Sequence, residues 1–87
     1  MDTRKTIGWN VRLLRVELGL SQERLALETD IDRSYVGRIE RGTENVTVAA
    51  LDAIARALGV PVSRLFVEPD EIEPPPPLRS GRKRRSS

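Results

Sequence analysis

The chain has 87 residues, 15 Arg or Lys against 13 Asp or Glu, and neither Cys nor His. That is room for one small domain with a modest core, and it removes disulfides, thiol nucleophiles, imidazole bases and Cys/His metal sites together. Trp9, Tyr35 and Phe66 are the only aromatic residues, too few for a stacking platform for single-stranded nucleic acid.

No apolar run has the length of a membrane span. Met1-Asp2-Thr3-Arg4-Lys5 leads into no uninterrupted apolar stretch, so no signal peptide is expected. The absence of Cys fits a reducing compartment, and a cytoplasmic location without membrane attachment is expected.

In chain order, Ile7, Val11, Leu14 and Leu18 recur at the i, i+4, i+7, i+11 spacing of an amphipathic helix, and Gly19 is its C-terminal cap. Ser21 starts a second helix, with Gln22-Glu23 in its first turn and Leu25 and Ala26 facing inward. Thr29-Asp30-Ile31 is a short break, because Asp30 tolerates the positive φ of a tight turn. Asp32 caps a third helix that runs through Arg41 and stops at Gly42, with Val36 and Ile39 on its buried side. Thr43–Val46 is a loop. Thr47 caps a fourth helix that turns Leu51, Ile54, Ala55 and Leu58 inward and ends at Gly59. Pro61 suits the first turn of a short fifth helix reaching Leu65-Phe66, and Pro69 marks the exit from the body. The expectation is an all-α, compact five-helix bundle over residues 4–67.

Residues 68–87 form a second region. Glu68, Asp70, Glu71 and Glu73 come first, Pro74-Pro75-Pro76-Pro77 follow, and Arg79, Arg82, Lys83, Arg84 and Arg85 come last. A stretch so poor in apolar residues cannot recover the entropy cost of ordering, so a disordered tail is expected. Its basic end is most simply a solvated run that adds, at most, salt-dependent phosphate binding.

Two short helices joined by a three-residue break within such a bundle have helix-turn-helix spacing. Leu20-Ser21-Gln22-Glu23-Arg24-Leu25-Ala26, then Asp32-Arg33-Ser34-Tyr35-Val36-Gly37-Arg38-Ile39-Glu40-Arg41-Gly42, then Ala55-Arg56-Ala57-Leu58-Gly59-Val60 resemble the phage repressor/Cro-like (XRE) family. The resemblance spans roughly Ile7 to Phe66. Within that family, Asp32-Arg33-Ser34-Tyr35 and Arg41 to Thr47 resemble most the controller proteins of restriction–modification systems. Asp30 departs from the pattern, since Gly is common at that turn in the family.

The resemblance implies a lambda-repressor-like domain and a transcriptional regulator that binds double-stranded DNA as a homodimer, with helix 32–41 in the major groove and no cofactor. It implies that Arg33 and Ser34 read bases; a guanidinium can bond O6 and N7 of guanine together. Arg38, one turn on, reaches a base or a phosphate. Gln22 fixes a phosphate, Thr43 and Asn45 approach the backbone, and Tyr35 offers its hydroxyl to a phosphate or its ring to a thymine methyl. Arg41 touches a phosphate or answers the helix dipole. Arg15 and Glu40 match a partly buried ion pair joining the first and third helices. Arg12, Arg24, Arg56 and Arg64 are most simply solvated.

The homodimer contact is assigned, by the same resemblance, to Val46, Val48, Val60, Val62, Leu65 and Phe66 around the last two helices. A second apolar stripe, Trp9, Leu13 and Val16, lies off the core side of the first helix and is either covered by the end of the body or used by a protein partner. Two alternatives stand beside the regulator: an antitoxin-type autorepressor that also binds a toxin, and a helical protein-interaction module. Catalysis is not expected. Asp30, Asp32, Glu40 and Glu44 cluster in sequence, but without His, Cys or a Gly-rich phosphate loop.

Overall fold

The computed structural model describes residues 2–69. They form four α-helices, α1 (Thr3–Glu17), α2 (Gln22–Thr29), α3 (Arg33–Arg41) and α4 (Val48–Leu58), followed by a 3-10 helix, η1 (Val62–Phe66). The expected disordered tail lies almost wholly at residues 70–87, outside the described residues.

Each α-helix starts on a side-chain cap, which fixes its first turn and its direction. Asp2 accepts from the Lys5 amide at 2.9 Å, Ser21 Oγ from Arg24 at 2.9 Å, Asp32 from Ser34 at 3.0 Å and Thr47 Oγ1 from Ala50 at 3.0 Å. A cap of this kind is worth about 1 kcal/mol. The core joins one face of every element: Ile7, Val11 and Leu14; Leu25 and Ala26; Val36 and Ile39; Leu51, Ile54, Ala55 and Leu58; and Leu65.

Three expectations are corrected. The fifth helix is a single 3-10 segment, and Pro61 precedes it instead of opening it, with ψ at 153°. Leu18 is 55% exposed, because α1 ends at Glu17 and the chain turns through Gly19 at a φ of 74°. Leu65 is fully buried, so it is core and offers no surface to another subunit.

Two residues on α1 that the hydrophobic pattern does not reveal set how α3 and η1 sit. Gly8 is buried, and a Cβ there would run into the carbonyl oxygen of Ile39 and lie 2.8 Å from that of Glu40. The missing side chain lets α1 lie against the backbone of α3. Asn10 has no exposed surface. Its Nδ2 donates to the carbonyls of Leu65 at 2.9 Å and Val67 at 2.8 Å, with Thr6 O at 3.0 Å sharing the two hydrogens. Its Oδ1 accepts from Arg64 at 2.8 Å. Arg64, expected to be solvated, is thus tied to α1, and a 3-10 segment with few internal bonds acquires external partners for its carbonyls.

Candidate nucleic-acid interface

The α2–α3 junction is built by Asp30. Its φ of 57° and ψ of 38° place it in the left-handed region, where the following amide of Ile31 reaches back to Ala26 O at 3.0 Å. Asp adopts this conformation more readily than most residues with a Cβ, which is why the turn closes without Gly. Thr29 Oγ1 donates to Leu25 O at 2.7 Å and finishes the end of α2. Asp32 then resumes extended backbone and caps α3.

Beyond that cap, Arg33 and Ser34 are exposed on the first turn of α3. The Ser34 hydroxyl donates to Asp32 Oδ2, to which its amide also donates. These two hydrogen bonds, the hydroxyl's first, hold the Asp32 carboxyl below its usual range. Among the described residues, the Arg33 side chain makes no hydrogen bond or ion pair.

The opposite end of α3 is locked to α1 and α2 through Glu40. Arg15 Nε donates to Glu40 Oε2 at 2.6 Å and Arg15 Nη2 to Oε1 at 3.0 Å, while Nη1 holds the carbonyl of Leu20 at 2.8 Å. The carboxylate is only 3% exposed and the arginine 11%. Gln22 Nε2 adds a third donor, to Oε1 at 3.0 Å. A buried carboxylate with three donors and a bidentate partner is satisfied, as burial requires. Gly37 lies between Gln22 and Arg41: a Cβ there would sit 3.4 Å from Arg41 Nη1 and 3.9 Å from Gln22 Oε1.

The fold around this turn is shared. Residues 11–65 match the helix-turn-helix family HTH_3. The chain belongs to this helix-turn-helix family. A hypothetical transcription factor of Neisseria meningitidis is 40% identical over 70 residues, covering 80% of this chain and 66% of that protein. The crystal structure of the Neisseria factor NHTF superposes with a TM-score of 0.77 over 80% of each chain. Control protein C.BamHI of Bacillus amyloliquefaciens is 45% identical over 60 residues, 68% of this chain and 74% of that one. The restriction-modification controller protein C.AhdI of Aeromonas hydrophila is 43% identical, with a TM-score of 0.70 over 72% of this chain and 96% of that one. With these relatives, the protein is a helix-turn-helix transcription regulator of the XRE, controller type.

In the regulator, two groups of side chains form around the turn. Gln22, Gly37 and Arg41 meet where α2 begins and α3 ends. Ser34, Tyr35 and Arg38 meet on the other flank, together with Glu44 from the loop after α3. Arg38 Nε donates to Glu44 Oε1 at 2.7 Å, and its guanidinium carbon lies 5.6 Å from the centre of the Tyr35 ring. The Tyr35 hydroxyl accepts from the Thr47 amide at 3.3 Å. Thr43 and Asn45 are exposed in the same loop, and the Thr43 hydroxyl donates to Arg38 O at 3.3 Å.

Glu44 was legible only as one more carboxylate, since no spacing rule pairs a loop acid with a helix arginine six residues back. Leu27 was missed as well: it is 71% exposed and lines a shallow depression with Glu23, Asp30 and Arg33.

Away from the turn, Val48 and Phe66 are exposed at 73% and 41%, with Val46, Val60 and Val62 half-buried on the core. On α1, Trp9 and Val16 are exposed at 36% and 54%, and Leu13 is half-buried. No helix of the described residues is long and apolar enough to cross a membrane.

Proposed function

We propose that the regulator binds double-stranded DNA as a homodimer, with α3 of each subunit in the major groove and two half-sites about 34 Å apart on one side of the duplex. The observation that carries this reading is Arg33, exposed beside Ser34 and without a side-chain partner among the described residues, at the start of a helix braced by Arg15, Glu40 and Gln22. Arg33, Ser34 and Arg38 read bases. Gln22, Tyr35, Thr43, Asn45 and Arg41 hold the sugar-phosphate backbone, which fixes the register in which bases are read. The Tyr35 hydroxyl uses a lone pair on Thr47 and keeps its proton for a phosphate oxygen.

The homodimer contact uses Val48 and Phe66, framed by Val46, Val60 and Val62; Leu65 supports it from inside. The regulator acts in the cytoplasm, at the nucleoid. Selection of duplexes from a randomised pool tests this reading. Inverted, paired half-sites are expected, and Arg33→Ala should relax one base position in each at a cost of about 1–3 kcal/mol. Enriched sequences without symmetry, or a monomer at all concentrations in light scattering, would overturn the dimeric operator reading.

The exposure of Trp9 and Val16 supports a second reading, an antitoxin-type autorepressor that uses the same DNA surface and presents α1 to a protein partner. Trp9→Ser would then abolish partner binding and leave DNA binding intact.

A further inference from the structure

We propose that Glu44 is a positioning residue that holds Arg38 end-on toward the bases and thereby sets the regulator's sequence discrimination. This rests on the reading of α3 as the helix that enters the groove.

The hydrogen bond from Nε to Glu44 Oε1, at 2.7 Å, uses the one guanidinium nitrogen that cannot take part in an end-on contact. The two terminal nitrogens stay available, apart from a long contact of Nη1 to Ser34 Oγ at 3.5 Å. Those two nitrogens are the pair that can meet O6 and N7 of a guanine together. The guanidinium also lies over the Tyr35 ring, whose hydroxyl is itself anchored on the Thr47 amide. Arg38 is therefore gripped at Nε and supported by the ring, with the far end of its fork left open. An arginine without such supports samples many rotamers on a helix surface and must be ordered at the moment of binding.

Glu44 has a second effect, on affinity and not on discrimination. Its carboxylate stands in the loop that carries Thr43 and Asn45, a surface assigned above to phosphates. A negative charge there opposes the sequence-independent attraction of any duplex. Aiming Arg38 strengthens binding to the right sequence and so widens the gap between operator and random DNA. The charge weakens binding to every sequence alike and leaves that ratio as it is, so the ratio reads the positioning alone. The pair is not fully in solvent: the Glu44 side chain is 23% exposed and that of Arg38 is 43%.

The test uses the full chain and two probes: a duplex enriched by the wild-type protein from a randomised pool, and a random-sequence duplex of the same length. The readout is the ratio of their affinities by fluorescence anisotropy at fixed salt, with far-ultraviolet circular dichroism to show that each variant is folded. Glu44→Asp keeps the charge and withdraws the acceptor by one methylene; it should lower the ratio by about tenfold, the scale of one bidentate base contact. Glu44→Gln keeps an acceptor oxygen at full reach; it should bind both duplexes more tightly and keep most of the ratio. In an Arg38→Ala background, Glu44→Asp should leave the ratio unchanged, since the group it positions is gone.

The proposal is overturned if Glu44→Asp leaves the ratio at the wild-type value, if Glu44→Gln lowers it as far as Glu44→Asp does, or if the loss persists without Arg38. If the wild-type chain enriches no sequence at all, the reading of α3 fails at its root, before Glu44 is put to the question.

Discussion

Asn10→Asp is the substitution that the structure makes most decisive for stability. The two side chains have the same shape, so no cavity opens, and Oδ1 still faces Arg64 at 2.8 Å. What changes is that the nitrogen facing Leu65 O at 2.9 Å and Val67 O at 2.8 Å becomes an oxygen without a hydrogen. Each carbonyl that loses its donor in a buried place costs about 1–3 kcal/mol, with Val67, which is partly exposed, toward the low end. The bond from Arg64, already charge-assisted, becomes an ion pair and returns about 1 kcal/mol. The net loss is about 1–4 kcal/mol, or roughly 5–20 °C in Tm for a domain of this size.

Urea unfolding followed by the fluorescence of Trp9, one residue from the substitution, measures the loss. A deficit under about 0.5 kcal/mol at pH 7 would refute the assignment of Asn10 as the latch on η1.

Gly8→Ala should destabilise by about 1–3 kcal/mol despite the better helix propensity of Ala, because the obstacle is the α3 backbone and not a movable side chain; a neutral or stabilising result in thermal unfolding would contradict the close approach. Arg15→Ala should cost about 3–5 kcal/mol by stranding Glu40, while the double change Arg15→Met with Glu40→Leu costs much less; singles that simply add in urea titrations would show that the pair does not act as a unit. Asp32→Ser keeps a capping oxygen but cannot titrate. The Asp32 carboxyl is held below its usual value near 3.8, so its contribution is complete above that value and disappears as pH falls through the lower folded value. The stability gap between wild type and Asp32→Ser should close over that acid range, and a gap independent of pH would rule the contribution out.

What could be read from the sequence was whatever is decided within a turn or two of the chain. Ser21, Asp32 and Thr47 cap because each is a short oxygen-bearing side chain just before an apolar stripe. Asp30 ends α2 because its own backbone tolerates positive φ. The Arg15–Glu40 pair and the shared edge of Arg33 and Ser34 were accessible through family resemblance. What escaped depends on residues far apart in the chain. Asn10 looks like a polar interruption of an apolar helix until Leu65 and Val67 are brought to it. Gly8 looks like a weak point in α1 until Ile39 is seen against it. Leu65 and Phe66 are neighbours of like composition, yet one is fully buried and the other 41% exposed, a difference set by the 3-10 geometry of η1.

The latch at Asn10 also bears on synthesis. Its amide hydrogens sit inside the bundle, but the carbonyls they need belong to residues 65 and 67, translated more than fifty codons later. Until those arrive, the carboxamide of Asn10 has only Thr6 O, within α1, as a protein partner along the seam where the core must close, and the pocket for Leu65 stays empty. A nascent chain halted after α4 would thus hold all four capped helices and still resist final assembly, so folding on the ribosome should come as one late step and not helix by helix.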